Sequence, residues 1–176
     1  MPLFGHTSLF VVIKKKNMKA KVYELLEQVP DPEVPVLSIL DLGIVRDVNI
    51  NEKQIEVVIT PTYSGCPAMD MISVNIKAIM QENGHDNVTI KLVLSPAWTT
   101  DWMSENGKKK LKAYGIAPPV GATSDKRLLL GEERLVCCPL CDSNNTKLIS
   151  QFGSTACKSL YQCKDCLEPF DYFKCH

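Results

Sequence analysis

The chain has 176 residues, zero net charge and the apolar and charged fractions of a globular protein, enough for one ordinary domain plus a small module. Charge is unevenly spread: residues 1–29 carry +3, residues 30–103 carry −6, residues 104–135 carry +3 and residues 136–176 are neutral. An acidic centre and a neutral end argue against nucleic acid as a partner, and no stretch reaches the roughly 20 apolar residues needed to cross a bilayer.

Residues 1–17 read as a disordered upstream extension. The apolar run Leu9–Ile13 is short, and its lysines follow rather than precede it, unlike a secretory leader. Helical periodicity begins at Met18, which suggests Met18 as the natural start. Val22, Leu25, Leu26 and Val29 then form one apolar face, and Pro30 ends that helix. In Asp31-Pro-Glu-Val-Pro35 two prolines fix the backbone and remove donors, so the segment is a stiff loop presenting Asp31 and Glu33. Asp41 leads into Leu42-Gly43. Two strands follow, from Ile44 and from Gln54 to Thr60, joined at Asn51-Glu-Lys53 as a hairpin.

Thr60-Pro-Thr-Tyr-Ser-Gly-Cys-Pro-Ala-Met-Asp70 joins the second strand to a helix whose apolar face is Met69, Ile72, Ile76, Ile79 and Met80. Ser64 or Gly65 is the expected cap, with Pro67 in the first turn. Cys66 therefore sits at a helix start, where the partial positive charge favours a thiolate, with Thr60, Thr62 and Ser64 beside it. A single cysteine is more often a small packed residue, and position alone leaves both readings open. Asn83-Gly84 ends the helix, and Val88, Ile90, Leu92 and Leu94 alternate as a third strand, parallel to the second. The expected fold is α/β (α+β): a small mixed sheet with covering helices. Loop ends at Asp31, Asp41 and Cys66 are expected to converge at one edge.

Trp98 and Trp102, four apart, are placed to share a helical face; Lys108–Lys110 and Lys112 read as a solvated basic face. The domain boundaries are thus 18–114 for the α/β domain, 115–135 for a Pro- and Gly-containing linker and 136–176 for a cysteine-rich module. Seven of the eight cysteines fall between Cys137 and Cys175. Cys138-Pro-Leu-Cys141 and Cys163-Lys-Asp-Cys166 give two C-x-x-C turns, which together complete a tetrahedral sulfur site. Zinc is favoured and iron is possible. Cys137, Cys157 and Cys175 are left over; Cys137 can substitute for Cys138, and Cys157 can compete for a ligand place. So small a module needs its metal to fold. With no secretory leader evident, the expected compartment is the cytoplasm, where clustered cysteines mean metal rather than disulfides.

Asp31-Pro-Glu-Val-Pro35, Asp41-Leu-Gly-Ile44, Pro61-Thr-Tyr-Ser-Gly-Cys-Pro67, Ser95-Pro-Ala-Trp-Thr-Thr-Asp-Trp102, Phe152-Gly-Ser-Thr-Ala-Cys-Lys158 and Glu168-Pro-Phe-Asp-Tyr-Phe-Lys-Cys175 carry a resemblance. From about Met18 onward the chain is similar to the PaaD family, accessory proteins of ring 1,2-phenylacetyl-CoA epoxidase. The resemblance implies an iron–sulfur assembly domain, of the kind found in SufT-type proteins, joined to a C-terminal zinc ribbon. It implies an accessory role in phenylacetate degradation, with epoxidase subunits as partners: the di-iron oxygenase, the iron–sulfur reductase, or both. It makes Cys66 the reactive thiol for a transient iron or iron–sulfur cluster, with Asp31, Glu33, Thr60 and Thr62 lining its pocket.

Three functions then compete. A maturation factor would hold iron through Cys66, Asp31 and Glu33 and pass it on. An adaptor would dock oxygenase components through its sheet domain, its ribbon and the Trp98/Trp102 surface. A thiol enzyme would need a partner base, yet His6, His85 and His176 lie outside the motifs and no C-x-x-C accompanies Cys66.

Overall fold

The computed structural model describes residues 6–51, 54–120 and 135–174, with side chains from Lys15 onward. Helix α1 (His6–Leu26) starts twelve residues before Met18, so residues 6–17 are helical backbone and not the expected disordered extension. Its C-terminal turns put Val22 and Leu26 in the core at 0 % exposure, and the chain then bends through Val29 toward the Asp31 loop. Strands β1 (Val45–Asn51) and β2 (Gln54–Ile59) form the expected antiparallel hairpin, with Val48 opposite Val57. Helix α2 (Ala68–Glu82) returns the chain to β3 (Val88–Leu92), which pairs parallel to β2 with Ile90 opposite Val57. The sheet order is β1-β2-β3, so β2 is central and its inner residues are buried, while β3 forms an edge and is mostly exposed. Because β3 stops at Leu92, Leu94 stands outside the strand expected to hold it and is largely exposed.

The α2 face lies on this sheet: Met69, Ile72, Ile76 and Met80 are buried, with Ile79 packed at the margin. After β3 a short 3₁₀ turn at Thr100–Trp102 precedes α3 (Glu105–Ala113). Ser104 caps α3, its Oγ accepting the Gly107 N–H at 2.8 Å. Trp98 and Trp102 do not share a helical face. Trp98 is buried in the preceding loop and donates its indole N–H to the Leu42 carbonyl at 2.9 Å. Trp102 lies on the 3₁₀ turn with the Arg46 guanidinium 3.5 Å above its ring. Gly43, at φ +68°, passes so close to the Trp102 carbonyl that an added Cβ would lie 2.1 Å from its oxygen.

The second sheet has the order β4-β7-β6-β5, with β5 (Thr146–Ser150), β6 (Lys158–Cys163) and β7 (Pro169–Phe173) antiparallel in series. Its fourth strand, β4 (Ile116–Ala117), pairs parallel to β7 and comes from residues expected to be linker. The two modules share one core: Phe173, Cys157 and Ile116 belong to the same buried cluster as the first sheet and α2. Phe173 meets Trp98 edge to face at 6.3 Å. A smaller core of Val136, Tyr161, Phe170 and Tyr172 backs the cysteine turns. Among the described residues no helix is long and apolar enough to cross a membrane.

Candidate functional site

Two groups of chemistry-bearing side chains stand out, one at the cysteine turns and one where the ribbon meets the first domain. At the turns, the sulfurs of Cys138, Cys141, Cys163 and Cys166 all lie within 4.8 Å of one another. Cys138 and Cys166 are 3.8 Å apart and Cys141 and Cys163 are 3.5 Å apart. Metal–sulfur bonds of about 2.3 Å in a tetrahedron separate the sulfurs by roughly 3.8 Å, so this set fits a tetrahedral metal. The backbone N–H groups of Cys166 and Asp165 point at the Cys163 sulfur and bring its thiol down to about 7. Cys137 turns away toward Asp142 and its own neighbour's carbonyl, and so does not replace Cys138. Cys157 lies elsewhere. Cys175 falls outside the described residues.

The second group forms around the Cys66 loop. That loop leaves β2 at Thr60, whose N–H donates to the Ile44 carbonyl at 2.9 Å. It turns through Gly65, and Cys66 N–H donates to the Tyr63 carbonyl at 3.2 Å. The cap of α2 is Pro67, with no side-chain hydrogen bond, rather than Ser64 or Gly65. The Cys66 sulfur is half-buried and receives the Ala68 N–H and the hydroxyls of Thr62 and Tyr63. Burial is the largest influence on it and raises its pKa; the charge of Glu33 adds to this, and the N–H and hydroxyl donors do not overcome it. The thiolate expected from the helix start is therefore disfavoured in the free protein. A dipole effect confined to the first turn loses to desolvation.

Asp31 is buried, and its Oδ1 accepts the N–H groups of Glu33 and Val34 at 2.9 and 2.7 Å. Burial raises its pKa against those two donors. The loop so braced presents Glu33 to a residue from the other module: Cys157 Sγ lies 3.2 Å from Glu33 Oε2. Cys157 is 4 % exposed and also 3.0 Å from the Thr155 hydroxyl. Its thiol is pushed up to about 12, chiefly by burial, with Glu33 adding to the shift against the Thr155 hydroxyl. Tyr63 stands among these groups. Its phenol is raised to about 12 by burial and then by Cys66, Glu33 and Cys157.

Beside this group opens a cleft of about 400 Å³ lined by Thr60, Thr62, Tyr63, Ser64, Leu94 and Trp98. Thr60 is 1 % exposed, and among the described residues its Oγ1 has no hydrogen-bond partner. Asp41 does not join the cleft. Its carboxylate is engaged by Ser104 Oγ at 2.6 Å and Lys110 Nζ at 2.5 Å, tying α3 to the loop before β1. Burial alone would raise Asp41, but these hydrogen bonds outweigh it and hold its carboxyl below the usual range. Lys110 is correspondingly not part of a merely solvated face. The structure thus brings Asp31, Glu33, Thr62 and Cys66 to one locality, leaves Thr60 in the cleft wall and places Asp41 apart. Sequence reasoning misses Cys157 and Tyr63 as members. The available signal is the Gly-Ser-Thr-Ala-Cys-Lys run, whose cysteine is surplus to the four-sulfur count.

A protein of Escherichia coli (strain K12), named as the D component of 1,2-phenylacetyl-CoA epoxidase, is 50 % identical over 155 residues, covering 88 % of this chain and 92 % of that protein. The chain belongs to that PaaD family. Residues 19–92 match the iron–sulfur cluster assembly protein family, and residues 122–174 match the PaaD zinc beta ribbon domain. An Fe-S protein maturation auxiliary factor of Porphyromonas gingivalis is 33 % identical over 92 residues, 51 % of this chain and 87 % of that protein. In fold, the crystal structure of a domain of unknown function, DUF59, from Bacillus anthracis is similar at a TM-score of 0.51 and 30 % identity. It covers 55 % of this chain and 92 % of that one. The α+β reading, the iron–sulfur assembly domain and the zinc-ribbon module expected from the sequence all agree with these findings.

Proposed function

We propose that this PaaD family member is a maturation factor that helps to install an iron or iron–sulfur centre in a multicomponent phenylacetyl-CoA epoxidase during phenylacetate degradation. Cys66 is the thiol that holds the cargo. The observation that supports this reading is the half-buried Cys66 sulfur, which feels the charge of Glu33 and belongs to the loop whose Thr62, Tyr63 and Ser64 line an open cleft. Thiolate and carboxylate together suit iron, and an incomplete ligand set releases its metal more readily than a closed one. The free thiol is held protonated, so it stays inert until a metal displaces the proton. Asp31 braces the loop that presents Glu33, while Thr62 and Tyr63 orient the sulfur. In the ribbon, Cys138, Cys141, Cys163 and Cys166 would hold zinc, which would supply the folding energy of that module.

The deciding experiment co-expresses the oxygenase and reductase subunits with wild-type protein or with Cys66→Ala and measures iron content and epoxidase turnover of the purified complex. Iron and activity lost together support the installing role; both retained overturn it.

The adaptor reading keeps one specific support. The outer edge of β3 is unpaired in its sheet, and Leu92 and Leu94 beside it are 53 % and 62 % exposed. The surface it relied on is reduced, because Trp98 is buried. In that reading, charged substitutions at Leu92 and Leu94 abolish co-purification with the oxygenase subunits while Cys66→Ala does not.

A further inference from the structure

We propose that the free edge of β3 is the interface for a second copy of this chain, joined antiparallel about Ile90 so that the three-stranded sheets of two copies become one continuous sheet. The proposal goes beyond the installing role of Cys66 and does not depend on it.

An exposed strand edge is a row of unpaired N–H and C=O groups, and folded proteins ordinarily blunt it. Of the four sheet edges among the described residues, three are blunted. The register of β1 breaks between Val45 and Asp47, and Lys19 of α1 holds Asp47 on that strand. β4 is only two residues long, and the register of β5 breaks between Leu148 and Ser150. β3 differs. Its five residues keep an unbroken register with β2 and contain no proline, and no strand among the described residues pairs with their other side.

The phase of β3 is fixed by its bonds to β2. The Ile55 N–H donates to the Asn87 carbonyl at 3.0 Å, and the Val93 N–H donates to the Ile59 carbonyl at 2.9 Å. Backbone groups alternate sides along a strand, so Val88, Ile90 and Leu92 turn theirs to the open edge. A two-fold axis at Ile90 then pairs Val88 with Leu92 of the second copy, Ile90 with its own symmetry mate, and Leu92 with Val88. Those exchanges give about six backbone hydrogen bonds.

Side chains choose this register over its neighbours. On the core-facing side the pairs are apolar, and Leu92, largely exposed in the single chain, gains a valine beside it. On the outer side Lys91 meets Thr89 of the second copy, which lies opposite Glu56 of β2. Lysine, threonine and glutamate thus fall in one cross-strand row, twice by symmetry, with opposite charges at its ends. An axis at Lys91 would set two lysines face to face, and an axis at Thr89 would set Leu92 against Asp86. Lys91 is the kind of charge that keeps an edge from indiscriminate pairing, and in the Ile90 register it selects a partner of the same sequence. Continued two residues past the strand, this register brings Asp86 of the second copy alongside Leu94, a residue of the cleft wall.

The test uses the full chain with zinc in its ribbon, in sedimentation equilibrium over a concentration series. The wild type should approach twice its chain mass of 19.6 kDa; a wild type that stays at one chain mass throughout overturns the proposal. Lys91→Glu puts like charges in the row and should weaken association by about tenfold, and Glu56→Lys combined with Lys91→Glu should restore it. Leu92→Pro removes an N–H that faces the open edge, so pairing with β2 persists while the dimer is lost. If the wild type is dimeric and neither Lys91→Glu nor Leu92→Pro alters its mass, the copies meet elsewhere and the proposal falls. It falls equally if the wild type is a single chain and Leu92→Pro abolishes co-purification with the oxygenase subunits, which gives the edge to the adaptor reading.

Discussion

The Lys110 ammonium lies 2.5 Å from Asp41 Oδ2, joining α3 to the loop before β1 across 69 residues. Ser104 adds a second hydrogen bond to the same carboxylate. Asp41→Asn and Lys110→Met should each lower the unfolding free energy by about 1–2 kcal/mol at neutral pH. That is less than for a fully buried pair, because the Lys110 side chain is 37 % exposed and partly screened. Asp41 is held below its ordinary range, so the pair's stabilisation is complete above the unfolded value of about 3.9 and is lost as pH falls through the folded value. Urea unfolding of wild type and Asp41→Asn at neutral and acid pH should show a gap that closes on acidification. A gap of constant size would show that the carboxylate charge is not what stabilises.

Asp31 has the opposite sign. Burial raises it, so its ionised form is disfavoured by folding and wild-type stability declines as pH rises from the unfolded value through the folded one. Asp31→Asn keeps an oxygen for the N–H groups of Glu33 and Val34 and removes the charge. It should be at least as stable as wild type at pH 7. Asp31→Ala strands both donors and should cost about 1–3 kcal/mol. Thermal melts of the three proteins at pH 7 check the order, and Asn below wild type would show that the charge is needed.

Removing the ribbon metal should unfold that module, because its private core is only a few side chains. Tyr161 stacks on Phe170 at 6.0 Å, so near-ultraviolet circular dichroism should collapse on treatment with a chelator and return with zinc. Cys163→Ser should lose the metal. Cys137→Ser should keep one equivalent, since its sulfur points away from the four.

Gly43 is a sharper structural test. Its φ of +68° and the Trp102 carbonyl beside it both exclude a side chain. Gly43→Ala should destabilise by about 2–3 kcal/mol, read as a lowered urea midpoint with unchanged slope. A neutral substitution would mean that the Trp102 turn gives way at little cost.

What is legible in the sequence follows physical range. The α2 face, the hairpin and the parallel return strand are set by periodicities of a few residues, and the four ribbon sulfurs by spacing within two short turns. Met69 through Met80 and Cys138 through Cys166 can therefore be read directly. The Glu33–Cys157 contact cannot, because neither residue lies in a periodic pattern and 124 residues separate them. Cys66 reads as acidic because a helix start is a local feature, whereas burial depends on which loops close over the sulfur. Asp41 is misplaced by sequence for the same reason: a loop carboxylate shows its acidity there but not the lysine that will claim it.

Only Tyr114 and Gly115 separate the end of α3 from Ile116, where β4 joins the far sheet beside β7. The ribbon therefore borrows its outer strand from the polypeptide of its neighbour. A fragment cut at residue 136 would carry every sulfur ligand yet expose the hydrogen-bonding edge of β7. A fragment ending at residue 114 would leave Trp98 without its aromatic lid, Phe173. Family boundaries and folding boundaries thus part company: two sequence families meet in this chain, at residues 19–92 and 122–174, but scissors placed between them would yield two damaged proteins rather than two domains.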